Sequence, residues 1–393
     1  MSGMDESRNL ACVAQPTSSG TSDEHAELGP NEACQERGVP PSPARLWRTR
    51  RLTLPPLLRA RAGQVRRIPL RVAVRLDPGR PRRIPTTIQI EATNKCNLRC
   101  PTCSHSRETS SGQHLSSSDV RAIVDWLPFT PAFVRLSGVG EPLVNPEFFS
   151  LADILAGRGI PCDFITNGTL LTSQAREQIL SRDGIHRVII SCDGATESTF
   201  ESCRLGARFE SWKQLVGDLV TEAKQRRART LSVSMSTVIS SANYSEIPQI
   251  LLLAASLGFD RVSFLGLEAV DDVAASLRPS GAEMSTIREE ELLDLAATVG
   301  LEVPGLARSS WPRPLVRLSN AIGLPRCTQP WESIFVRANG DVAPCNALFG
   351  SDRAAVMGNV FRQSFNDVWL GKPFREFRQA KVLGTNPLCR ACG

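Results

Sequence analysis

Three cysteines fall within eight residues, in the stretch CNLRCPTC that runs from Cys96 to Cys103. Spacings of three and then two residues let one loop wrap three thiolates around one face of an iron–sulfur cubane, leaving its fourth iron without a protein ligand. Zinc would want a fourth ligand close by. His105 is the neighbour, but it follows Cys103 by only two residues, where the geometry is cramped. A ferredoxin pattern needs a further Cys at short spacing, and the next residues have none. A second set, Cys327, Cys345, Cys389 and Cys392, lies near the end of the chain. Two distant thiols followed by Cys-x2-Cys is acceptable zinc spacing, and it is also enough thiolate to saturate one cubane. The other five of the 12 cysteines, Cys12, Cys34, Cys162, Cys192 and Cys203, are scattered.

Composition bounds what these thiols serve. At 393 residues, 41% hydrophobic and 22% charged, the chain has the make-up of a globular protein with one large or two ordinary domains. No apolar run approaches the ~20 residues of a membrane-spanning helix, and MSGMDESRNLACVAQ has no apolar segment of a secretory signal. A cytoplasmic location is expected, and there 12 cysteines argue for metal or redox chemistry rather than disulfides. The net charge of +6 is concentrated in residues 45–83, where 13 Arg face one Asp. The remainder is close to neutral, so neither a nucleic-acid nor a membrane partner is expected for the catalytic body.

The elements that must position the thiols follow from periodicity. Residues 1–83 are rich in Pro, Ser, Gly, Glu and Arg and read as a disordered arm, though IPLRVAVRL has the alternation of a short strand. Between 84 and 301 a strand and a helix alternate six times. The strands are RIPTTIQIEAT, AFVRLSG, CDFITNG, HRVIISCDG, TLSVSMSTVI and DRVSFLGLE. Strand–helix alternation implies a parallel sheet; six units are two short of a closed barrel. The fold class expected is α/β, a partial (β/α)6 TIM-like barrel, with a small C-terminal cluster-binding extension. Residues 302–326 are Pro-rich and read as a linker. In 327–393, WESIFVRANGDVAPC reads as a hairpin turning at Asn339-Gly340-Asp341.

The cysteine triplet follows the first strand, at the C-terminal edge where such sheets build sites. The ends of the next three strands carry GVGEP (Gly140, Glu141, Pro142), ITNG (Asn167) and SCDG (Ser191, Asp193). Singly these are ordinary: a helix-start carboxylate, a turn former, an Asx turn. Together, behind this Cys loop, they resemble the radical S-adenosylmethionine (SAM) enzymes, whose signature is Cys-x3-Cys-x2-Cys. The residue before the third Cys is often aromatic there and is Thr102 here.

That resemblance implies that Cys96, Cys100 and Cys103 hold a [4Fe–4S] cluster whose open iron chelates the amine and carboxylate of SAM. One electron then cleaves a carbon–sulfur bond, and a 5′-deoxyadenosyl radical removes hydrogen from substrate. Gly140, Glu141 and Pro142 would meet the methionyl amine, and Ser191 and Asp193 the methionyl and ribose groups. Asn167 ends the third strand. Arg204 matches a position near the SAM carboxylate in relatives, with a surface Arg as the plain alternative. Thr237, at the end of the fifth strand, is a further candidate. The tail resembles a SPASM or twitch extension, and its four cysteines suit one auxiliary [4Fe–4S] cluster used for electron transfer. A flavodoxin or ferredoxin is expected as reductant.

This layout matches small radical SAM dehydrogenases and epimerases, so oxidation or epimerization of a small-molecule sugar or cyclitol is the first expectation. Modification of a ribosomal peptide is the second, and a non-catalytic electron carrier the third. Epimerization needs a hydrogen donor. Cys192 should face the helix layer by alternation, and Cys162 opens its strand at the far end. Cys203, in the loop after the fourth strand, is the one candidate near the mouth, with a plain buried residue as its alternative.

Overall fold

The computed structural model describes residues 72–74, 76–79, 81, 85–107, 112–226, 231–267, 272–304, 327–345, 348 and 355–392. All of them belong to one compact unit, Leu54–Gly393. Parallel strands β1 (Thr87–Ile90), β2 (Val134–Leu136), β3 (Cys162–Thr166), β4 (Ile185–Ser191), β5 (Ser232–Ile239) and β6 (Val262–Gly266) lie side by side in chain order. The main helices between and after them are α1 (Ser117–Trp126), α2 (Phe148–Gly157), α3 (Ser173–Leu180), α4 (Glu197–Cys203), α5 (Phe209–Gln225) and α6 (Ile247–Ser256). Three more, α7 (Asp272–Ser276), α8 (Gly281–Ser285) and α9 (Glu289–Thr298), follow β6. This is the expected partial (β/α)6 barrel.

Local sequence explains the boundaries. Ser116 caps α1 through a reciprocal box with Asp119. Gly159 and Gly258 follow α2 and α6 at φ +69° and +82°, the left-handed conformation that ends a helix at little cost to glycine. One face of the strands enters the main core: Ile88, Ile90, Val134, Leu136, Phe164, Val188, Ile190 and Met235 pack beneath the helices. The alternate residues, among them Gln89, Arg135, Asp163, Ser234 and Ser236, face away from that layer. There Arg135 makes two hydrogen bonds of 2.8 Å to the Asp163 carboxylate.

The C-terminal region is not a separate appendage. After α10 (Gln329–Glu332), β7 (Ser333–Val336) pairs parallel with β1, residue for residue from Thr87↔Ser333 to Ile90↔Val336. Strands β8 (Asp341–Ala343) and β9 (Gly358–Asn359) then add antiparallel, giving one nine-stranded sheet in the order β6-β5-β4-β3-β2-β1-β7-β8-β9. The expected hairpin turn is present, with Gly340 at φ +83°. Helices α11 (Phe365–Trp369) and α12 (Lys372–Val382) close the region. Phe365 sits 5.1 Å from Trp126 of α1, edge to face, and the Trp126 indole N–H donates to the Gln363 carbonyl.

Three local expectations are revised. Residues 72–74 and 76, read as part of a strand, are helical; Val74 is buried against Trp331, whose indole N–H reaches the Pro78 carbonyl. Apolar alternation over so few residues does not separate a strand from one turn of a docked helix. Cys203 is the last residue of α4, not part of a loop. α4 itself was missed because ESTFESC is too short to show a period. Residues 1–71, 75, 80 and 82–83 of the N-terminal arm, and residues 305–326 of the linker, lie outside the described residues, as do Cys12 and Cys34. No described helix is long and apolar enough to cross a membrane.

Candidate functional site

The cysteine loop leaves the C-terminal end of β1 and is clamped by three neighbouring loops. The Glu141 N–H donates to the Lys95 carbonyl at 2.9 Å, and the Arg99 N–H to the Leu205 carbonyl at 3.0 Å. Between them the Asn167 side-chain amide donates to Asn97 Oδ1 at 2.9 Å, and Asn97 in turn donates to Thr169 Oγ1. The loops after β2 and β3 and the turn after α4 thus all bond to the segment 95–99.

Within this frame Cys96, Cys100 and Cys103 are half-buried. Burial is the main cause that pushes the Cys96 and Cys100 thiols up, Cys100 to about 11, and Cys103 adds to both shifts. Glu141 and Arg204 act on Cys96, and Arg204 and Asp193 on Cys100. Glu141, Asp193 and Arg204 therefore share one electrostatic neighbourhood with the thiols. Among the described residues no three His, Cys, Asp or Glu side chains converge on a point as a single bound ion would require. His105, the zinc alternative, instead pairs its Nε2 with Arg99 Nη1 at 3.0 Å. With His105 engaged by Arg99, the loop offers three thiols, one ligand short of a structural zinc site and suited to a cluster with one open iron.

Glu141 is 3% exposed. Its Oε1 accepts from Thr166 Oγ1 at 2.7 Å and the Leu143 N–H at 3.2 Å, and its Oε2 from the Asn167 N–H at 2.7 Å. Burial pushes its carboxyl up, opposed by these donors. Gly140 lets the loop approach the chain before the cysteines: a Cβ there would lie 2.4 Å from the Thr93 and Lys95 carbonyl oxygens. Pro142 is buried at the first turn of a short 3-10 helix, Pro142–Val144.

Asp193 and Arg204 form a buried pair at 2.7 Å, with side chains 6% and 11% exposed. Asp193 also accepts from the Val238 N–H at 2.9 Å. The Arg204 Nε is buried with no partner, a free donor beside the cysteine loop. Ser191 is buried on the face of β4 opposite the helix layer. Thr237 is not brought to the site. It is fully buried and its hydroxyl donates to the Cys192 carbonyl, because alternation turns it toward the helices. Cys192 lies in the same apolar core, as expected. Cys162 is buried at the opposite end of β3, and Cys203 is buried beside Ser240, its thiol pushed up by burial.

Of the second set, Cys345 is buried and packs with Phe335, Ala343 and Val139, the last from the loop that holds Glu141. Cys327 and Cys389 are half-buried. Cys389 and Cys392 fall on the final 3-10 helix, Pro387–Cys392. Two residues that matter here escaped the sequence reading, Glu91 and Thr166. Glu91 carried a signal: an acid at the end of a strand with Gln89 on the same face.

Comparison with known proteins agrees with this geometry. Residues 90–254 match the radical SAM superfamily and residues 327–393 the SPASM iron–sulfur cluster-binding domain. The chain is 28% identical over 311 residues to the mycofactocin maturase MftC of Mycobacterium tuberculosis, covering 77% of this chain and 74% of that one. It is 26% identical over 309 residues to an AdoMet-dependent heme synthase of Methanosarcina barkeri, covering 75% and 84%. It is 25% identical over 314 residues to a PqqA peptide cyclase of Gluconobacter oxydans, covering 77% and 81%. Among solved structures, Streptococcus suis SuiB bound to its precursor peptide SuiA shares the fold at a TM-score of 0.59 and 17% identity, over 75% of this chain and 66% of SuiB. The chain belongs to the radical SAM superfamily and carries a C-terminal SPASM iron–sulfur extension.

Proposed function

We propose that this protein is a radical SAM maturase that oxidatively modifies a ribosomally made peptide. The observation that carries the reading is that a PqqA peptide cyclase and the maturase MftC match this chain over 314 and 311 residues, more than the two domain matches combined, so the likeness runs beyond the cysteine motifs. The similarity to a PqqA peptide cyclase supports the same substrate class. The sugar or cyclitol expected from the layout of a barrel with a four-cysteine tail gives way to a peptide.

In this reading Cys96, Cys100 and Cys103 ligate the SAM-binding [4Fe–4S] cluster, and Cys327, Cys345, Cys389 and Cys392 one auxiliary [4Fe–4S] cluster. Together with SAM, the first cluster supplies a radical able to remove hydrogen from an unactivated carbon. The chain's residues place and shield that chemistry. Glu141 lies where it can take the methionyl ammonium, with Gly140 and Pro142 shaping its loop. Asn167 ties that loop to the cysteine segment. Asp193 holds the Arg204 guanidinium so that its free Nε can take the methionyl carboxylate, and Ser191 lines the same wall. Thr237 and Cys203 have no assigned role. Cys327, Cys345, Cys389 and Cys392 would saturate one auxiliary cluster, which would then supply electron transfer from the substrate rather than a substrate-binding iron. The core spans 84–301, the linker 302–326 and the auxiliary region 327–393. A flavodoxin or ferredoxin in the cytoplasm supplies the electron.

The test is anaerobic reconstitution with SAM and dithionite, followed by a panel of candidate precursor peptides, sugars, cyclitols and porphyrins. A peptide that accelerates 5′-deoxyadenosine release and changes in mass supports the proposal. Acceleration by a small molecule alone overturns it.

A further inference from the structure

We infer that Glu91 is a positioning residue that couples the SAM-binding loop to the auxiliary-cluster hairpin, so that each site responds to the occupancy of the other. The inference rests on the cofactor assignments proposed above. Glu91 follows the last residue of β1, the strand that lies between β2 and β7 in the sheet. Its own N–H donates to the Val336 carbonyl at 2.8 Å, which holds it against β7. Its side chain is 3% exposed. One carboxylate oxygen, Oε1, accepts from the Val139 N–H at 2.9 Å; the other, Oε2, accepts from the Ala338 N–H at 3.1 Å.

These two N–H groups belong to different sites. Val139 precedes Gly140 and Glu141 in the loop that would hold SAM. Ala338 lies in the β7–β8 turn, whose second strand leads to Cys345. The connection is made twice, because the Val139 side chain also packs in the small cluster that contains Cys345. Gly138 makes room for it: a Cβ at that position would lie 2.4 Å from Glu91 Cγ and Oε1. A carboxylate is a rigid plane. When one N–H moves relative to it, the other must follow or lose its bond. Hydrogen bonds to a charged acceptor away from water are among the strongest a loop can make. That is enough to make a small displacement at one loop costly at the other.

A staple that only holds the fold predicts something different from a coupling device, and a double-mutant cycle separates them. The readout is the SAM dissociation constant, obtained by titrating the EPR signal of the reduced cluster at Cys96, Cys100 and Cys103. It is measured in the full chain, in Cys389→Ala, in Glu91→Gln and in the double variant. In Glu91→Gln the side-chain NH2 faces one of the two N–H donors and the link is broken on that side. If Glu91 couples the sites, each single change weakens SAM binding about tenfold, the change worth 1.4 kcal/mol, and the double variant is no weaker than either single one. Effects that multiply, or no effect of Glu91→Gln, overturn the inference. Glu91→Asp, too short to reach both loops, repeats the test should the glutamine variant fail to load iron. Failure of the unaltered chain to show any SAM-dependent signal would sink the cofactor assignment itself, a distinguishable result.

Discussion

The carboxylate of Glu141, at the end of β2, accepts a 2.7 Å hydrogen bond from the backbone N–H of Asn167, at the end of β3. One buried acid thus locks together two of the loops that surround the cysteines, and it does so while its own charge is disfavoured by burial. An ammonium group arriving beside it would restore the charge.

In its proposed role beside the methionyl ammonium, Glu141 gives SAM binding a pH dependence of definite sign. Glu141 attracts a cation only when ionised, and burial moves its carboxyl upward from the usual carboxylate range. SAM affinity should therefore fall as pH is lowered toward that raised value, and recover as pH rises. Glu141→Gln should bind SAM about 10–100-fold more weakly, as expected for loss of a charge-assisted contact, and with a flat profile over the same pH range. Equilibrium dialysis of SAM against the loaded protein from pH 6 to 8.5 measures both.

The Asp193–Arg204 pair makes a second prediction, about stability. With both side chains nearly enclosed, removing one partner leaves an uncompensated buried charge, at a cost of about 3–5 kcal/mol. Arg204→Met should show that loss in urea denaturation, and Asp193→Asn combined with Arg204→Met should recover part of it. SAM binding should stay weak in the double variant, because the unpartnered Nε of a guanidinium close to Cys96 and Cys100 is gone. Recovery of binding along with stability would remove Arg204 from the site.

Gly140→Ala tests the backbone approach. The added methyl would meet two carbonyl oxygens at 2.4 Å, and neither belongs to a side chain that can swing away. The loop after β2 must then lift from residues 93–95, the segment that enters the cysteine loop. Iron content after reconstitution should fall together with SAM affinity, while the circular dichroism of the barrel stays unchanged. Full iron loading in this variant would show that the two loops move independently.

Much of this was legible before any coordinates. The alternation of strands and helices gives the barrel, because a buried parallel strand needs apolar residues on its covered face and Ile88, Ile90, Phe164 and Ile190 supply them at period two. Strand ends were legible for the same reason, so Glu141, Asn167 and Asp193 could be placed at one edge of the sheet. What escaped was non-local. Nothing in SIFV says that it pairs with TIQI more than 240 residues earlier, since both are simply short and apolar. The fusion of the C-terminal region into the barrel sheet, and with it the bridging position of Glu91, depends on that pairing. Thr237 was misplaced by a single step of alternation, which a strand end without a marker residue does not fix.

The auxiliary thiols carry the last prediction. Cys389 lies on the final short helix and packs its half-buried side chain against the main core, so its loss removes a ligand with little effect on the sheet. If the cluster at the C-terminus takes an electron from the substrate radical, Cys389→Ala should still cleave SAM and release 5′-deoxyadenosine with reductant present. It should yield no oxidised peptide, because the radical has no acceptor for its electron and is instead reduced by one electron from the added dithionite and takes one proton from solvent, returning to starting material. The check is to run the variant in deuterated water and follow peptide mass: deuterium gained without loss of two hydrogens marks a quenched radical. Normal amounts of oxidised product from Cys389→Ala would mean that the electron leaves by another route and that these four cysteines serve the fold instead.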